Sequence, residues 1–178
     1  MKKAVVVLCV IAVLLAVFGG VVTARLVQTR QDLAQRYFDE WYCMYRMTEL
    51  VDIEDKDGGA SLLYLVNHMG HYGPANWSLD GMNVRILLQD YEHLLRVVTE
   101  SEDPQLVEDA YTLLGELNGK IQEICGGVLE ACRDDNGDFT GKILPEDPAV
   151  VKAMEDLKAL YEEYLPAMEE IAVRFNQE

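Results

Sequence analysis

The chain begins with an apolar run and continues with helical periodicity. Residues 4–22 contain no charged side chain, and Lys2 and Lys3 stand directly before them. Nineteen helical residues rise about 28 Å, which is close to the hydrocarbon thickness of a bilayer. We therefore predict that residues 1–24 form a transmembrane helix, in contact with the membrane through residues 4–22, or a signal segment.

The same residues also fit a cleaved signal peptide. Residues 4–18 would be its apolar core, Gly19 and Gly20 would break the helix, and Ala24 would end an A-x-A-like cleavage site. In either case Lys2 and Lys3 keep the N-terminus in the cytoplasm by the positive-inside rule. We expect a single-pass protein of the cell membrane with its C-terminal domain outside, or alternatively a secreted protein.

The pattern after the apolar run predicts a long first helix. Apolar side chains recur at spacings of three, four and seven, and no Pro or Gly interrupts residues 25–57. We predict a helix to about residue 50, which would be continuous with the membrane anchor if the anchor is not cleaved. A turn is predicted at residues 55–59. The recurring positions are Leu26, Leu33, Tyr37, Met44, Met47 and Val51.

Three further amphipathic segments are predicted beyond that turn. A short helix at residues 60–68 and a loop at 70–77 precede a helix that Ser78 can cap. Asp103-Pro104 and Asp147-Pro148 each place an N-cap residue before a Pro at the first helical position. The apolar faces contain Leu87, Tyr91, Leu94, Leu95 and Val98; Val107, Ala110, Leu114, Leu117, Ile121, Ile124, Cys125, Val128 and Cys132; and Val150, Met154, Leu157, Tyr161, Tyr164, Met168, Ile171 and Phe175.

Together these segments predict an all-α protein. An N-terminal transmembrane or signal helix (residues 1–24) is followed by an antiparallel helical bundle of about four main helices (residues 25–178). Pro166 falls inside the last helix, where it removes a backbone hydrogen bond. A kink or break is therefore expected near residues 162–165.

The net charge of the chain makes some classes of binding partner unfavourable. The chain has 31 acidic and 15 basic residues, and only Lys2 and Lys3 precede the apolar run. The part after residue 24 therefore carries a formal charge of −18, which repels nucleic acid. No catalytic triad or phosphate-binding loop is recognisable, so we predict a protein that is not an enzyme and needs no cofactor.

Three cysteines lie in the exported part. Cys125 and Cys132 are seven residues apart on one helix, about 10 Å along its axis, which is too far for a disulfide. A disulfide would therefore pair Cys43 with Cys125 or Cys132, or join two chains. The alternative interpretation is that all three are small buried side chains.

Two groups of residues are candidate binding surfaces. Gly115, Gly119 and Gly126 share one helix side opposite the apolar stripe, where a partner helix could approach closely. The loop at residues 70–77 offers His71, Tyr72 and Trp77 as a second candidate.

Metal sites are not predicted. His68 and His71 have a ligand-like spacing, but Gly70 interrupts their helix. Asp90 and His93 form a single i,i+3 pair where di-iron bundles need two. The acidic turn that begins at Asp134 lacks the Gly and Glu of a calcium loop.

One membrane span leading into a long helix and a bundle resembles the plan of the LemA family of bacterial membrane proteins. Trp41 in the first helix and Pro104-x-Leu106 at the start of a later one carry the resemblance. It implies a divergent LemA-like membrane protein. From the residues themselves we expect a membrane-anchored extracytoplasmic scaffold or accessory protein that binds an envelope protein or itself. The alternative is a secreted ligand- or cation-binding domain released after Ala24.

Overall fold

The computed structural model describes residues 2–50 and 81–177, and all their regular secondary structure is helical. The helices are α1 (Lys2–Leu50), α2 (Gly81–Glu100), α3 (Pro104–Glu130) and α4 (Pro148–Phe175). The predicted turn at 55–59, short helix at 60–68, cap at Ser78 and loop at 70–77 lie outside the described residues. So do Val51, His68, His71, Tyr72 and Trp77.

Helix α1 runs without interruption from the apolar segment into the folded domain. Its large apolar side chains from Ile11 to Val22 are exposed, with Phe18 at 69%. By length and composition it is the one described helix that could cross a membrane. Leu26 and Leu33 are also exposed, whereas Tyr37, Met44 and Met47 are buried. The predicted apolar face of α1 therefore enters the core only from Ala34 onward.

Helix α3 is the centre of the described domain. It packs against α1, α2 and α4, and α2 also packs against α4. Its inward side chains include Leu114, Leu117 and Ile121, each with no exposed surface. The predicted apolar faces of α2, α3 and α4 enter this core, where most of their residues are buried and others, such as Ile124, Met154 and Tyr161, are partly buried. Burial of one apolar stripe per helix is the main stabilising term of such a fold.

The helix ends follow the predicted capping pattern at one of two sites. The Asp103 carboxylate accepts a hydrogen bond from the Gln105 amide (2.9 Å), which caps α3. The side chain of Asp147 makes no such bond to α4. Its carboxylate accepts instead from the Leu144 amide (2.7 Å) in the preceding loop. The predicted capping role of the Asp147 side chain is therefore wrong, although Pro148 does begin the helix.

Helix α4 continues through Pro166, so of the predicted kink or break near residues 162–165 the break does not occur and the kink stays a prediction. Met168 and Ile171 lie beyond the proline and are buried in the core. Their burial offsets the backbone hydrogen bond that Pro166 cannot donate.

Candidate functional site

Residues 131–147, here called the return loop, connect α3 to α4 across the side of α1. The Ile143 amide donates a hydrogen bond to the Ala34 carbonyl (3.1 Å), and the Ile143 side chain is buried. The Arg30 guanidinium and the Glu146 carboxylate form an exposed ion pair (2.6 Å). Exposed ion pairs contribute little, so the backbone bond and the burial of Ile143 hold the loop to α1.

The acidic turn of the return loop is organised around Asp134. One oxygen of its carboxylate accepts hydrogen bonds from the Asn136 amide (2.9 Å) and the Asp138 amide (3.0 Å). These backbone hydrogen bonds lower the pKa of Asp134 because they favour its ionised form. Across residues 2–50 and 81–177, no three His, Cys, Asp or Glu side chains are grouped to hold a metal ion.

An aromatic cluster joins the return loop to α1. The Phe139 ring centroid lies 5.8 Å from that of Phe38 and 6.4 Å from that of Tyr42. The Arg133 guanidinium lies over Phe139, 4.1 Å from its centroid, which is a cation–π arrangement. Phe139 and Tyr42 keep 41% and 40% of their surfaces exposed. The cluster therefore presents aromatic faces to solvent while Phe38 anchors it in the core.

Beside this cluster, α1 and α3 form a groove of about 310 Å³. Two ion pairs line it, Arg46 with Glu49 and Arg133 with Glu130. We call it the α1–α3 groove; its lining residues are Tyr42, Tyr45, Arg46, Glu49, Gly126, Leu129, Glu130, Arg133 and Phe139. Its charges balance, whereas the domain as a whole is strongly acidic. Exposed aromatic and arginine side chains are those enriched where proteins bind one another.

The predicted glycine surface is divided between two environments. A Cβ atom on Gly126 would lie 3.5 Å from the Tyr45 ring, so Gly126 belongs to the packing of α1 on α3. Gly115 and Gly119 are exposed, and a Cβ on either would meet no described atom within 4 Å. A partner surface at Gly115 and Gly119 stays a prediction, while Gly126 has its neighbour inside the chain.

The three cysteines of the folded part are free thiols in the structure. Cys125 and Cys132 are buried, as their places on the apolar stripe predict, and Cys43 is exposed. Burial raises the pKa of Cys132 to about 11 and also raises that of Cys43, so both thiols stay protonated near neutral pH. The interpretation that all three are buried therefore fails for Cys43. The structure does not pair Cys43 with Cys125 or Cys132.

Glu40 is a largely buried carboxylate on α1, with 16% of its side chain exposed. The Arg36 guanidinium pairs with one carboxylate oxygen (3.1 Å). The other oxygen is buried and has no hydrogen-bond partner among the described residues, and the same is true of the Trp41 indole nitrogen. Burial raises the pKa of Glu40 from 4.5 to about 7, although Arg36 opposes the change.

Asp90 and His93 face α4. Tyr161 hydrogen-bonds to the Asp90 carboxylate, and burial still raises the pKa of Asp90. The His93 ring lies edge-on to Phe175, with 5.7 Å between the centroids. Asp90 and His93 are therefore part of the packing of α2 against α4.

Comparison with known proteins gives no match, whether to a family model, to a curated protein or to a solved structure. The residues that carry the resemblance to the LemA plan lie in the core or at a helix start. Trp41 and Leu106 are buried in the core, and Pro104 begins α3.

The sequence pattern does not predict the α1–α3 groove. Its residues come from α1 on one side and from the end of α3 and the adjoining return loop on the other, which lie far from α1 along the chain. One local signal was present, because Phe139 is a large apolar residue within a polar, turn-rich segment. Such a residue in an exposed loop is a candidate contact for a partner.

Proposed function

We propose that this protein is a membrane-anchored, extracytoplasmic helical scaffold that acts by binding another protein. The observation that carries the proposal is the continuity of α1. One helix bears exposed large apolar side chains from Ile11 to Val22 and then buries Trp41, Met44 and Met47 in the domain. A rigid helix of this kind would hold the domain at a fixed height and orientation above the bilayer.

The paired residues support an antiparallel bundle. Arg174 near the end of α4 bonds to Asp109 near the start of α3 (2.6 Å), and Lys120 pairs with Glu163 (3.3 Å). Residue numbers thus rise along α3 as they fall along α4. The Asn118 amide bonds to the Thr48 carbonyl and Gly126 faces Tyr45, which gives α1 and α3 the same relationship. In this arrangement the return loop lies at the membrane-facing end of the domain.

The α1–α3 groove is the surface that we assign to partner binding. Phe139 and Tyr42 are large side chains that remain exposed although neighbouring aromatics are buried. Arg133 and Arg46 lie beside them and supply planar donors for carboxylates or carbonyls. An envelope protein that presents a mixed apolar and polar segment fits this chemistry better than a strongly cationic one.

Anchoring is tested by fractionating cells that express the full chain and measuring intact mass without reducing agent. A full-length chain that stays in the membrane after alkaline washing supports the scaffold. A chain that begins at Arg25 in the soluble fraction would replace it with a released binding domain. Orientation is tested by adding protease from the outer face, which should digest the domain and spare residues 1–24.

Binding is tested by photocrosslinking in living cells. A photoreactive amino acid at Phe139 should give an adduct of discrete mass. The same amino acid at Tyr111, which is equally exposed on α3, is the matched control and should give none. No adduct from Phe139, or the same adducts from both positions, would refute the assignment of the groove.

A further inference from the structure

A second cavity lies at the junction of α1 and the return loop, closer to the apolar run than the α1–α3 groove. Its volume is about 390 Å³, which is within the range of small-ligand sites. Its walls are largely apolar and come from Val27 and Ala34 on α1 and from Ile143 and Leu144 on the loop. Val27 is more than half exposed, although it is a large apolar side chain. We call this space the juxtamembrane cavity.

The cavity lies at a fixed height along α1. Val27 follows Val22, the end of the apolar run, by five residues, which is about 7.5 Å of helix. The headgroup layer on each side of a bilayer is about 5–7 Å thick. If residues 4–22 span the hydrocarbon, Val27 lies at the outer edge of the headgroups. The mouth of the cavity then faces the lipid surface in every copy of the protein.

Basic and acidic side chains balance at this mouth, whereas the domain as a whole is strongly acidic. Arg25 and Arg30 are the first charged residues after the apolar run, and Asp32 is the first acidic one. Arg30 and Lys142 line the cavity together with Asp147, and Arg30 forms its exposed ion pair with Glu146 beside the cavity. The Asp147 carboxylate already accepts the Leu144 amide, and no carboxylate of a described residue pairs with Lys142. The exposed Lys142 ammonium is therefore available to an anion.

We propose that the juxtamembrane cavity binds an anionic phospholipid of the leaflet on the same side as the domain. Lys142 would contact the phosphate, and Arg30 would join it by leaving its weak, exposed pair with Glu146. Val27 and Leu144 would cover the glycerol, which would be lifted to the outer edge of the headgroups. This inference rests on the proposed membrane anchoring. Because α1 and the return loop would both contact the bound lipid, the lipid would set the tilt and rotation of the domain on the membrane.

The experiment uses the full chain in nanodiscs with equal amounts of phosphatidylglycerol and phosphatidylcholine of the same acyl chains. Native mass spectrometry of the released protein then gives the ratio of the two retained lipids. We expect the natural chain to retain phosphatidylglycerol in at least about fivefold excess, since one basic residue near an anionic surface contributes about that factor. K142E should bring the ratio close to one, and R30Q should lower it in part.

The matched control is K158E, which makes the same charge change at an exposed lysine on α4 that does not line the cavity. It should retain the lipid ratio of the natural chain. Equal retention of both lipids by the natural chain, or equal loss in K142E and K158E, would overturn the lipid site and leave the anchor intact. A chain that does not incorporate into nanodiscs would overturn the anchor as well. Circular dichroism verifies that each variant keeps its helical content.

Discussion

The Tyr91 hydroxyl donates a hydrogen bond to the side-chain oxygen of Asn118 (2.9 Å), which joins α2 to α3 within the core. The Asn118 amide nitrogen in turn donates to the Thr48 carbonyl (2.9 Å) at the end of α1. Tyr91 has no exposed surface, and burial raises its pKa well above the usual value. Three helices thus meet at one satisfied polar chain, which fixes their register.

Replacing Tyr91 by Phe should destabilise the domain by about 1–2 kcal/mol, because the Asn118 oxygen loses its donor while it stays partly buried. Urea unfolding followed by circular dichroism measures the change. Tyr111→Phe is the matched control at an exposed tyrosine and should change the unfolding free energy by less than about 0.5 kcal/mol. Equal effects of the two substitutions would contradict the role of the polar chain.

Leu117→Asp should unfold the domain, because it places a carboxylate where the native side chain has no exposed surface. We expect a loss of several kcal/mol, which is comparable to the whole stability of an average domain. Val151→Asp makes the same kind of change at an exposed position of α4 and should leave cooperative melting intact. A Leu117→Asp variant that melts near the natural temperature would refute the assignment of α3 as the central helix.

Glu40 predicts a specific pH dependence of stability. Its pKa in the folded protein is about 7, above its ordinary value of 4.5. The folded state therefore binds more protons than the unfolded state between about pH 4.5 and 7, and this contribution to stability falls as pH rises through that window. Glu40→Gln should be more stable than the natural chain at pH 8, by about 1 kcal/mol after allowance for screening, and equally stable at pH 4.

The control for this experiment is Glu123→Gln at an exposed glutamate of α3. It should leave the difference between pH 4 and pH 8 unchanged. If Glu40→Gln also leaves that difference unchanged, the buried oxygen of Glu40 is not the source of the pH dependence.

Gly119 and Gly126 of α3 should respond differently to larger side chains. Gly119→Ala should stabilise the helix by up to about 1 kcal/mol, because the added methyl group meets open space. Gly119→Leu should keep full helicity and weaken association if a partner contacts this side. Gly126→Leu should instead destabilise the domain, since its side chain must displace the Tyr45 ring. Thermal melting and analytical ultracentrifugation separate the two effects.

Thiol labelling checks the environment of the cysteines. A maleimide applied to the folded protein should modify Cys43 and spare Cys125 and Cys132 until the domain is unfolded. Peptide mapping by mass spectrometry identifies the modified positions. Protection of Cys43 in the folded state without reducing agent, and its release on reduction, would show instead that the predicted disulfide forms.

The hydrophobic pattern determined most of the helical structure. The periodic positions of α2, α3 and α4 enter the core, and the capping of α3 by Asp103 follows from local chemistry. The exceptions have a tertiary cause. Leu26 and Leu33 continue the periodicity of α1 but stay exposed, because the neighbouring elements bury side chains of this helix only from Ala34 onward.

The sequence by itself determined that the protein is all-helical and where most helices begin and end, since these depend on neighbours within a few turns. It also determined the strong excess of acidic residues after the apolar run. The tertiary structure decided which surfaces remain open. The α1–α3 groove brings Tyr42 beside Phe139, and the juxtamembrane cavity brings Val27 beside Leu144, across more than 90 residues of chain in both cases. Periodicity carries no information about such pairs, because side-chain contacts between helices depend on how the helices pack.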